Sequence, residues 1–458
     1  MDRLVRDKGP ARLRRSEPRG AGEHRMNPFS PFGITILSLV ILSLLGLPIG
    51  LSMISASIVY LLLMKQDLGI AGEQILQGLY NGYTLLAIPL FIFAADLMNV
   101  GSLSDRLLKF CYALVGRFRG GLGHVNVVAN IILSGMSGSA VADAAGLGRV
   151  IINMMTRDGK YTPSYAAAIT AAASTIGPII PPSIPLVLFA LVSDASVGYL
   201  FLGGVVPGLV MGVALMIMNG ILARKHNFPV EEPTPLREFP KITLEAFPAL
   251  MMPVVLLGGI YGGVMTPTEA AAVAALYAYV ISLVIYRSVS LRQTYQCLMS
   301  SARSTASVGM MIAGALVFNY VVTREDLPNA LSAILAAHQM TQFQYLLAVN
   351  VILLILGCLL DASTVLLVIV PILIPTAKLL GIDIVHFGVF VTVNLMIGLL
   401  TPPYGLLLFV TSNITKVSIG SIVRNVLPFL FMLIVALGII TFVPDVVLWL
   451  PRMFGYKG

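Results

Sequence analysis

The sequence contains little charge for its length. Asp, Glu, Lys and Arg make up 11% of its 458 residues, whereas roughly 25% is usual for a soluble domain. Apolar residues make up 57%, which excludes an ordinary water-soluble globular protein. The long apolar runs favour a polytopic membrane protein. Its fold is expected to be all-α, because open sheet edges cannot be satisfied in lipid.

Cysteine is scarce, and the common metal and nucleotide motifs are absent from the sequence. The three cysteines, Cys111, Cys297 and Cys358, lie in apolar surroundings without paired spacing, which excludes a disulfide framework and a thiolate metal site. There is no H-E-x-x-H zinc motif and no P-loop, so zinc proteolysis and ATP-driven transport are unsupported. The net charge of +8 lies largely in loops and in the N-terminal tail, and it indicates positive-inside bias rather than nucleic-acid binding.

The N-terminal 25 residues differ from the rest of the chain. They contain eight Lys or Arg and four Asp or Glu, without an apolar segment and cleavage site, so they are not an ordinary signal peptide. Membrane sequence starts soon after Met26. We expect residues 1–25 to be a disordered tail or to lie upstream of a natural start at Met26.

Two apolar stretches are interrupted by proline. Residues 165–192 contain prolines at 178, 181, 182 and 185, and residues 387–411 contain the pair at 402 and 403. A helix cannot pass intact through such prolines, and broken backbone persists at membrane depth only where it lines a polar cavity. The two Pro-Pro pairs lie 221 residues apart, and matching interruptions in two halves of a chain indicate a transporter's binding site. Simple proline kinks in structural helices are the alternative.

The chain divides into two halves around a polar, proline-containing loop at residues 224–243. Each half, residues 26–223 and residues 244–458, contains five expected spans and one expected re-entrant hairpin. The hairpins, at residues 123–156 and 343–378, have small or polar residues in the middle, where a re-entrant chain must turn. With the basic loops in the cytoplasm, the second half becomes an inverted repeat of the first. About ten transmembrane helices are expected in all.

Several further segments have distinct patterns. A GLPIG sequence at residues 46–50 divides the first apolar run into two short spans. Residues 103–119 alternate apolar and basic residues at helical spacing, which predicts an amphipathic helix at the membrane interface. Residues 287–303 are expected to be a basic connector before a span at residues 304–322, and the last span is expected near residues 426–450.

Candidate binding residues cluster at the hairpin turns and at the two breaks. Freed carbonyls and hydroxyls at membrane depth suit a hard cation such as Na⁺, while half-helix N-termini attract anions. The candidate ion-binding residues are Ser137, Gly138, Ser139, Ser174, Thr175, Gly177, Gly357, Asp361, Ser363, Thr364, Asn394, Gly398 and Thr401. The candidate substrate-binding residues are Pro181, Pro182, Ser183, Pro402 and Pro403. For any single hydroxyl, packing between helices is the alternative.

Two carboxylates lie in the hairpins, where an ionisable side chain is costly and is a functional hypothesis by default. Asp361 lies at the turn of the second hairpin, where its charge would neutralise a bound cation. Asp143 follows the turn of the first hairpin, and a capping role on the hairpin arm is an equal alternative.

A protease motif competes with the transport interpretation. Ser137 lies in a G-x-S-G sequence at residues 135–138, as in rhomboid-type intramembrane serine proteases. Catalysis needs a histidine within hydrogen-bond reach of the serine. The five histidines, His24, His124, His226, His338 and His386, are all predicted in the tail, in loops or at the interface, which disfavours a protease.

The sequence resembles the large membrane subunit of tripartite ATP-independent periplasmic (TRAP) transporters from about Met26 onward. The matching motifs are GLPIG at residues 46–50, SGSAVAD at 137–143, IGPIIPPS at 176–183, MTPTEAA at 265–271 and LD at 360–361. The resemblance implies an elevator-type secondary transporter of the inner membrane, similar in fold to divalent anion:Na⁺ symporters. It also implies a small four-helix membrane subunit and a periplasmic solute-binding protein as partners.

The resemblance further implies import of an organic anion, driven by a Na⁺ gradient. Na⁺ is then the coupling ion at the candidate ion-binding residues, and no other cofactor is expected. The candidate solutes are C4-dicarboxylates, sialic acids, other sugar acids and keto acids. A stand-alone anion:Na⁺ symporter, which works without a binding protein, is the main alternative, and the intramembrane serine protease is a remote one.

Overall fold

The structure is a computed structural model that describes residues 30–100, 103–231, 233–337 and 339–458. Residues 1–25, the predicted tail, lie outside the described residues. Within those ranges the chain is built from helices and turns, and the one bridge between extended residues joins Arg119 to Val230. The prediction of an all-α fold is confirmed.

The described part of the first half contains eleven α-helices. They are α1 (Pro31–Leu44), α2 (Ile49–Leu63), α3 (Gly69–Asn81), α4 (Ala87–Val100), α5 (Leu103–Val115), α6 (Gly121–Ser137), α7 (Ala140–Ala145), α8 (Leu147–Thr156), α9 (Pro163–Ser174), α10 (Ile184–Ser193) and α11 (Val197–Lys225). Two short 3₁₀ segments, Tyr83–Leu86 and Arg157–Gly159, precede α4 and α9.

The described part of the second half contains eleven more α-helices. They are α12 (Phe239–Tyr261), α13 (Pro267–Val280), α14 (Leu291–Arg324), α15 (Leu327–Ala337), α16 (Gln342–Leu359), α17 (Ala362–Val368), α18 (Val370–Leu379), α19 (Ile384–Gly398), α20 (Leu406–Thr415), α21 (Ile419–Phe442) and α22 (Asp445–Met453). A π-helical segment, Ile281–Ile285, extends α13.

Local sequence explains where many helices begin. A capping box forms at Thr266 with Glu269, at Ser290 with Gln293, and at Thr341 with Gln344, and these boxes start α13, α14 and α16. The break predicted at residues 46–50 lies between α1 and α2, where Gly46 adopts a φ of +89°. The amphipathic helix predicted at residues 103–119 is α5, which buries Leu103, Leu107 and Cys111 on one face.

Seven helices in the described part are long and apolar enough to cross a membrane, or eight if the bent pair α17–α18 is one span. The helices α1 and α2 have 14 and 15 residues and are shorter than the roughly 20 that a span usually needs. The prediction of a multi-pass membrane protein is confirmed, while the count of ten spans and the inversion of the repeat stay predictions.

Two predicted boundaries are wrong. Residues 291–303 are not a connector, because α14 starts at the Ser290 capping box and continues for 34 residues, about 51 Å. The last span is α21 rather than a helix near residues 426–450. The chain bends at Val443 and Pro444, and α22 follows as a separate short helix.

Helix starts recur with the spacing of the Pro-Pro pairs. The hairpin helices α6 and α16 start at Gly121 and Gln342, 221 residues apart, and α9 and α19 start at Pro163 and Ile384, also 221 apart. Each hairpin continues into two short helices, and each interrupted stretch forms two half-helices. The two halves therefore share one plan of elements in the membrane region.

The helices pack as two groups. The scaffold group contains α1–α4 and α12–α14, and the core group contains α6–α11 and α16–α22. In the scaffold group, α2 and α14 cross so closely that a Cβ on Gly50 would lie 2.5 Å from the Met310 carbonyl oxygen. Helices α5 and α15 contact both groups and connect them.

The loop after α11 is fixed to the base of the first hairpin. Phe228 packs against Tyr161 and Tyr165, with ring centroids 4.6 and 4.7 Å apart. Glu231 is buried and accepts hydrogen bonds from the Lys160 ammonium at 2.8 and 3.1 Å. These contacts attach the first part of the loop to the core group, before the chain enters α12 of the scaffold group.

Candidate functional site

The turn of the first hairpin lies against the first proline turn. Gly138 ends α6 with a φ of +58°, and a Cβ on it would come within 2.9 Å of the Pro182 carbonyl oxygen. Ser139 then caps α7 by accepting a hydrogen bond from the Ala142 amide. Glycine is needed at position 138 because of its positive φ and because its Cα lies close to the Pro182 carbonyl oxygen.

Asp143 lies in α7 and faces the first break. A Cβ on Gly177 would clash with Asp143 Oδ2, so the carboxylate occupies the space beside this glycine. The side chain of Asp143 is buried. The capping alternative for Asp143 is wrong, because Ser139 is the cap of α7 and Asp143 lies one turn further into the helix.

The second hairpin meets the second break in the same way. Gly357 near the end of α16 contacts Gly398 at the end of α19, and a Cβ on Gly398 would lie 2.8 Å from the Gly357 backbone. The Cys358 thiol donates a hydrogen bond to the Thr401 carbonyl at 3.2 Å. Pro402–Pro403 is a cis bond, like its counterpart in the first half.

The two halves also cross at this point. The short hairpin helix α7 packs on α20 of the second half, and α17 packs on α10 of the first half. The half-helices also pack across the two halves, since α9 contacts α20 and α10 contacts α19. The structure therefore brings both hairpin turns and both breaks into one continuous cluster in the core group.

Many hydroxyls of the candidate set already form local hydrogen bonds. Ser174 donates to the Thr170 carbonyl at 2.9 Å and Thr175 to the Ala172 carbonyl at 2.7 Å, and both side chains are fully buried. Ser183 caps α10 and donates to the Pro178 carbonyl. Thr401 donates to the Ile397 carbonyl at 2.8 Å. These hydroxyl oxygens keep lone pairs that a cation could use, but their hydrogen bonds already stabilise the backbone at the two breaks.

The expectation that the breaks leave carbonyls unpaired needs correction in the second half. The Gly398 carbonyl accepts from the Thr401 amide at 2.9 Å, and the Leu399 carbonyl accepts from the Leu407 amide at 3.0 Å. Turn hydrogen bonds thus replace the lost helical ones, and each carbonyl offers only its second lone pair. In the first half, the Pro178 carbonyl accepts a hydrogen bond from the Ser183 hydroxyl instead.

Asp361 lies at the turn of the second hairpin, as predicted, and its side chain is exposed. It caps α17, since its Oδ2 accepts from the Ser363 amide at 2.9 Å. The Thr364 hydroxyl lies 3.9 Å from the Met311 sulfur on α14, so the second hairpin also touches the scaffold group. Asp361 therefore combines a structural cap with a carboxylate on the exposed surface of the chain.

Asn394 belongs to a buried amide network that the sequence interpretation did not find. Its Nδ2 donates to the carbonyl and to Oδ1 of Asn350 at 2.9 and 2.8 Å, and Asn350 in turn donates to the Thr441 hydroxyl. Oδ1 of Asn394 has no hydrogen-bond partner in the described part of the chain. An asparagine within each of two apolar runs was the signal for this network.

A membrane carboxylate in the scaffold group was also missed. Asp96 lies in α4, within a candidate span, and its Oδ2 accepts a hydrogen bond from the Ser301 hydroxyl of α14 at 2.8 Å. An ionisable residue inside an apolar run is visible in the sequence. Asp96 joins α4 to α14 and lies outside the cluster of hairpin turns and breaks.

Two of the histidines lie on helices rather than in loops. His124 and His386 are buried near the starts of α6 and α19. His124 precedes Ser137 by 13 residues on one helix, a separation of about 20 Å, and His386 is bonded to the Ile440 carbonyl. Neither arrangement forms a serine–histidine pair.

Comparison with known proteins identifies the family. The family described as "Tripartite ATP-independent periplasmic transporter, DctM component" matches residues 36–446. The chain belongs to this family. It is the large permease component of a TRAP transporter, a multi-pass protein of the inner membrane, and not an enzyme.

Several relatives match over most of their length. The chain is 41% identical to the sialic acid TRAP transporter large permease protein SiaM of Vibrio cholerae, over 90% of this chain and 96% of that protein. It is also 41% identical to the C4-dicarboxylate TRAP transporter large permease protein DctM of Pseudomonas aeruginosa, over 81% and 87%. The 2,3-diketo-L-gulonate permease YiaN of Escherichia coli is 36% identical, over 88% and 95%.

The fold is similar to that of a solved transporter. The structure of the Alcanivorax borkumensis YdaH transporter matches with a TM-score of 0.58 over 83% of this chain and 88% of that one, at 15% identity. At this identity the likeness supports the fold alone. The all-helical membrane architecture is therefore shared with a second transporter.

Proposed function

We propose that this TRAP large permease imports an organic anion together with Na⁺. The observation that carries the proposal is the cluster in which two hairpin turns and two broken helices meet. Irregular backbone at membrane depth is tolerated where it lines a binding cavity, and half-helix ends supply both the positive and the negative partial charges of an ion site. Hydroxyls, amide oxygens and one exposed carboxylate surround this backbone, and these are ligands for a hard cation.

The proposed substrate is a carboxylate. The relatives named above are permeases for sialic acid, a C4-dicarboxylate and 2,3-diketo-L-gulonate, and carboxylate is the group that these solutes share. The proline turns precede the N-termini of α10 and α20, where partial positive charge favours an anion. A cation bound at the adjacent hairpin turns would strengthen carboxylate binding and would thereby couple the two fluxes.

The proposed movement is a displacement of the core group against the scaffold group. The hairpins and breaks all lie in the core group, and α5 and α15 connect the two groups. A core that carries its binding cluster past a fixed scaffold would expose the cluster to each side in turn. This elevator-type mechanism, like the inverted repeat, is part of the proposal.

The proposed partners are a small four-helix membrane subunit and a periplasmic solute-binding protein. The family description names a tripartite transporter, which requires components beyond this chain. The isethionate permease DctMQ of Oleidesulfovibrio alaskensis matches over only 58% of its own length, so that relative is a longer polypeptide. Dilute solute would then be captured by the binding protein and released to the core group.

Reconstitution separates this proposal from a stand-alone symporter. Proteoliposomes that contain this chain and the small subunit are expected to accumulate labelled carboxylate only when the binding protein is added outside. The control omits one component at a time while the Na⁺ gradient is held constant. Saturable uptake by this chain alone would contradict the role of the partners and would favour the symporter.

A further inference from the structure

A cavity of about 410 Å³ opens beside the second half of α11, between that helix and the turn into α6. None of the candidate ion-binding or substrate-binding residues lines it. Two arginines, Arg119 and Arg224, share its wall with apolar side chains that include Val213 and Ile217. The cavity therefore combines a basic end with an apolar groove along one helix.

The two arginines are available to a ligand. Both side chains are exposed, and the ion pairs found in the described part of the chain involve neither of them. The backbone of Arg119 is held by its bridge to Val230, while Arg224 lies in the last turn of α11. Two guanidinium groups on one cavity form a site for an anion, and phosphate matches their planar donor geometry.

A third residue gives independent evidence of a ligand. His124 lines the cavity, is 8% exposed, and packs edge-on against Phe118 with ring centroids 6.1 Å apart. Its Nδ1 has no hydrogen-bond partner in the described part of the chain. Buried polar atoms are normally paired, so this nitrogen indicates a polar group that enters the cavity. The unpartnered Nδ1 can accept a hydrogen bond from a ligand hydroxyl.

The apolar groove distinguishes a lipid from a soluble anion. Val213 is 55% exposed and Ile217 is 51% exposed, and they lie on the face of α11 that leads away from Arg224 into the membrane region. A free phosphate would contact only the basic end. A phospholipid would place its phosphate at the arginines and an acyl chain over the apolar side chains. Basic pockets between membrane helices are typical sites for anionic headgroups.

We propose that this cavity binds an anionic phospholipid, with the phosphate between Arg119 and Arg224, a headgroup hydroxyl at His124 and an acyl chain along Val213 and Ile217. The positive-inside rule places this end of α11 at the cytoplasmic leaflet, where anionic lipids face the cytoplasm. Because α11 belongs to the core group, the lipid contacts the group that carries the hairpins.

Native mass spectrometry of the full chain tests this site. Protein purified from mixed vesicles of phosphatidylglycerol and phosphatidylcholine is expected to retain phosphatidylglycerol. The double variant Arg119→Gln/Arg224→Gln is expected to retain it about 30-fold more weakly, since each basic residue near an anionic surface contributes about fivefold. The matched control is Arg157→Gln/Lys225→Gln, which removes two exposed charges that do not line the cavity.

Further arms of the experiment identify the source of the phosphate and the role of His124. Added glycerol phosphate is expected not to displace the lipid. Wild type is expected to prefer phosphatidylglycerol over phosphatidylmethanol, which has the same charge without hydroxyls, and His124→Phe is expected to lose this preference. The proposal is overturned if the control pair lowers retention equally, if glycerol phosphate competes for the site, or if wild type does not distinguish the two anionic lipids.

Discussion

Replacing Gly398 with alanine is expected to lower uptake about tenfold and the free energy of unfolding by about 1–3 kcal/mol. The added Cβ would lie 2.8 Å from the backbone of Gly357 and 3.1 Å from its carbonyl oxygen. Backbone atoms cannot move aside as the end of a flexible side chain can, so the second hairpin and the second break must separate. Proteoliposome uptake and thermal unfolding of the purified protein measure the two effects.

The matched control is Gly438→Ala. Gly438 lies within α21 of the same half, and a Cβ there would meet no atom within 4 Å. Uptake and unfolding temperature of this variant are expected to equal those of wild type. If Gly398→Ala behaves like Gly438→Ala, close approach of hairpin and break is not needed for transport, and the cluster loses its proposed role.

Replacing Asp361 with asparagine is expected to raise the Na⁺ concentration for half-maximal uptake about tenfold or more. Asparagine caps a helix about as well as aspartate, so the substitution keeps the hydrogen bond from the Ser363 amide and removes the charge. The attraction of a carboxylate for a cation 4 Å away is about 1 kcal/mol in bulk water and about 4 kcal/mol at the dielectric of a protein surface. A Na⁺ titration of initial uptake rates, with choline as the replacement cation, measures the change.

Two further variants separate the charge from the cap. Asp361→Ala removes both, so it is expected to show the same rise in the Na⁺ requirement together with a loss of about 1 kcal/mol in stability. Asp445→Asn removes an exposed carboxylate from α22, outside the cluster, and is expected to titrate like wild type. An unchanged Na⁺ requirement in Asp361→Asn would show that Asp361 acts only as the cap of α17 and does not contribute to Na⁺ binding.

Proline, glycine and capping residues made much of the fold predictable from the sequence. The breaks at Pro181–Pro182 and Pro402–Pro403 follow from the missing amide donors, and the turn at Gly138 follows from a run of small residues. Helix ends were harder to predict, because apolar content alone does not show where a helix leaves the membrane. The start of α14 depends on a capping box at Ser290. The arginines around it predicted a connector here instead of the beginning of a helix.

The contacts within the site were less predictable, since they depend on tertiary packing. The sequence showed that glycines cluster at the hairpins and breaks, but it did not show that Gly177 faces Asp143 while Gly398 faces Gly357. The turn hydrogen bonds that the Gly398 and Leu399 carbonyls accept were also not predicted. They form only when the chain turns between α19 and α20 and brings the amides of Thr401 and Leu407 to these carbonyls. Buried partners such as Asn350 are visible only when α16 and α19 are seen side by side.

The most direct test of the proposed mechanism is uptake against an imposed Na⁺ gradient. Proteoliposomes with this chain, its small subunit and the binding protein would be prepared with equal Na⁺ on both sides or with Na⁺ outside only, at a clamped membrane potential. The proposal predicts that labelled carboxylate accumulates above its external concentration only under the inward Na⁺ gradient. Equal accumulation without the gradient would contradict Na⁺ coupling at the cluster of hairpin turns and broken helices.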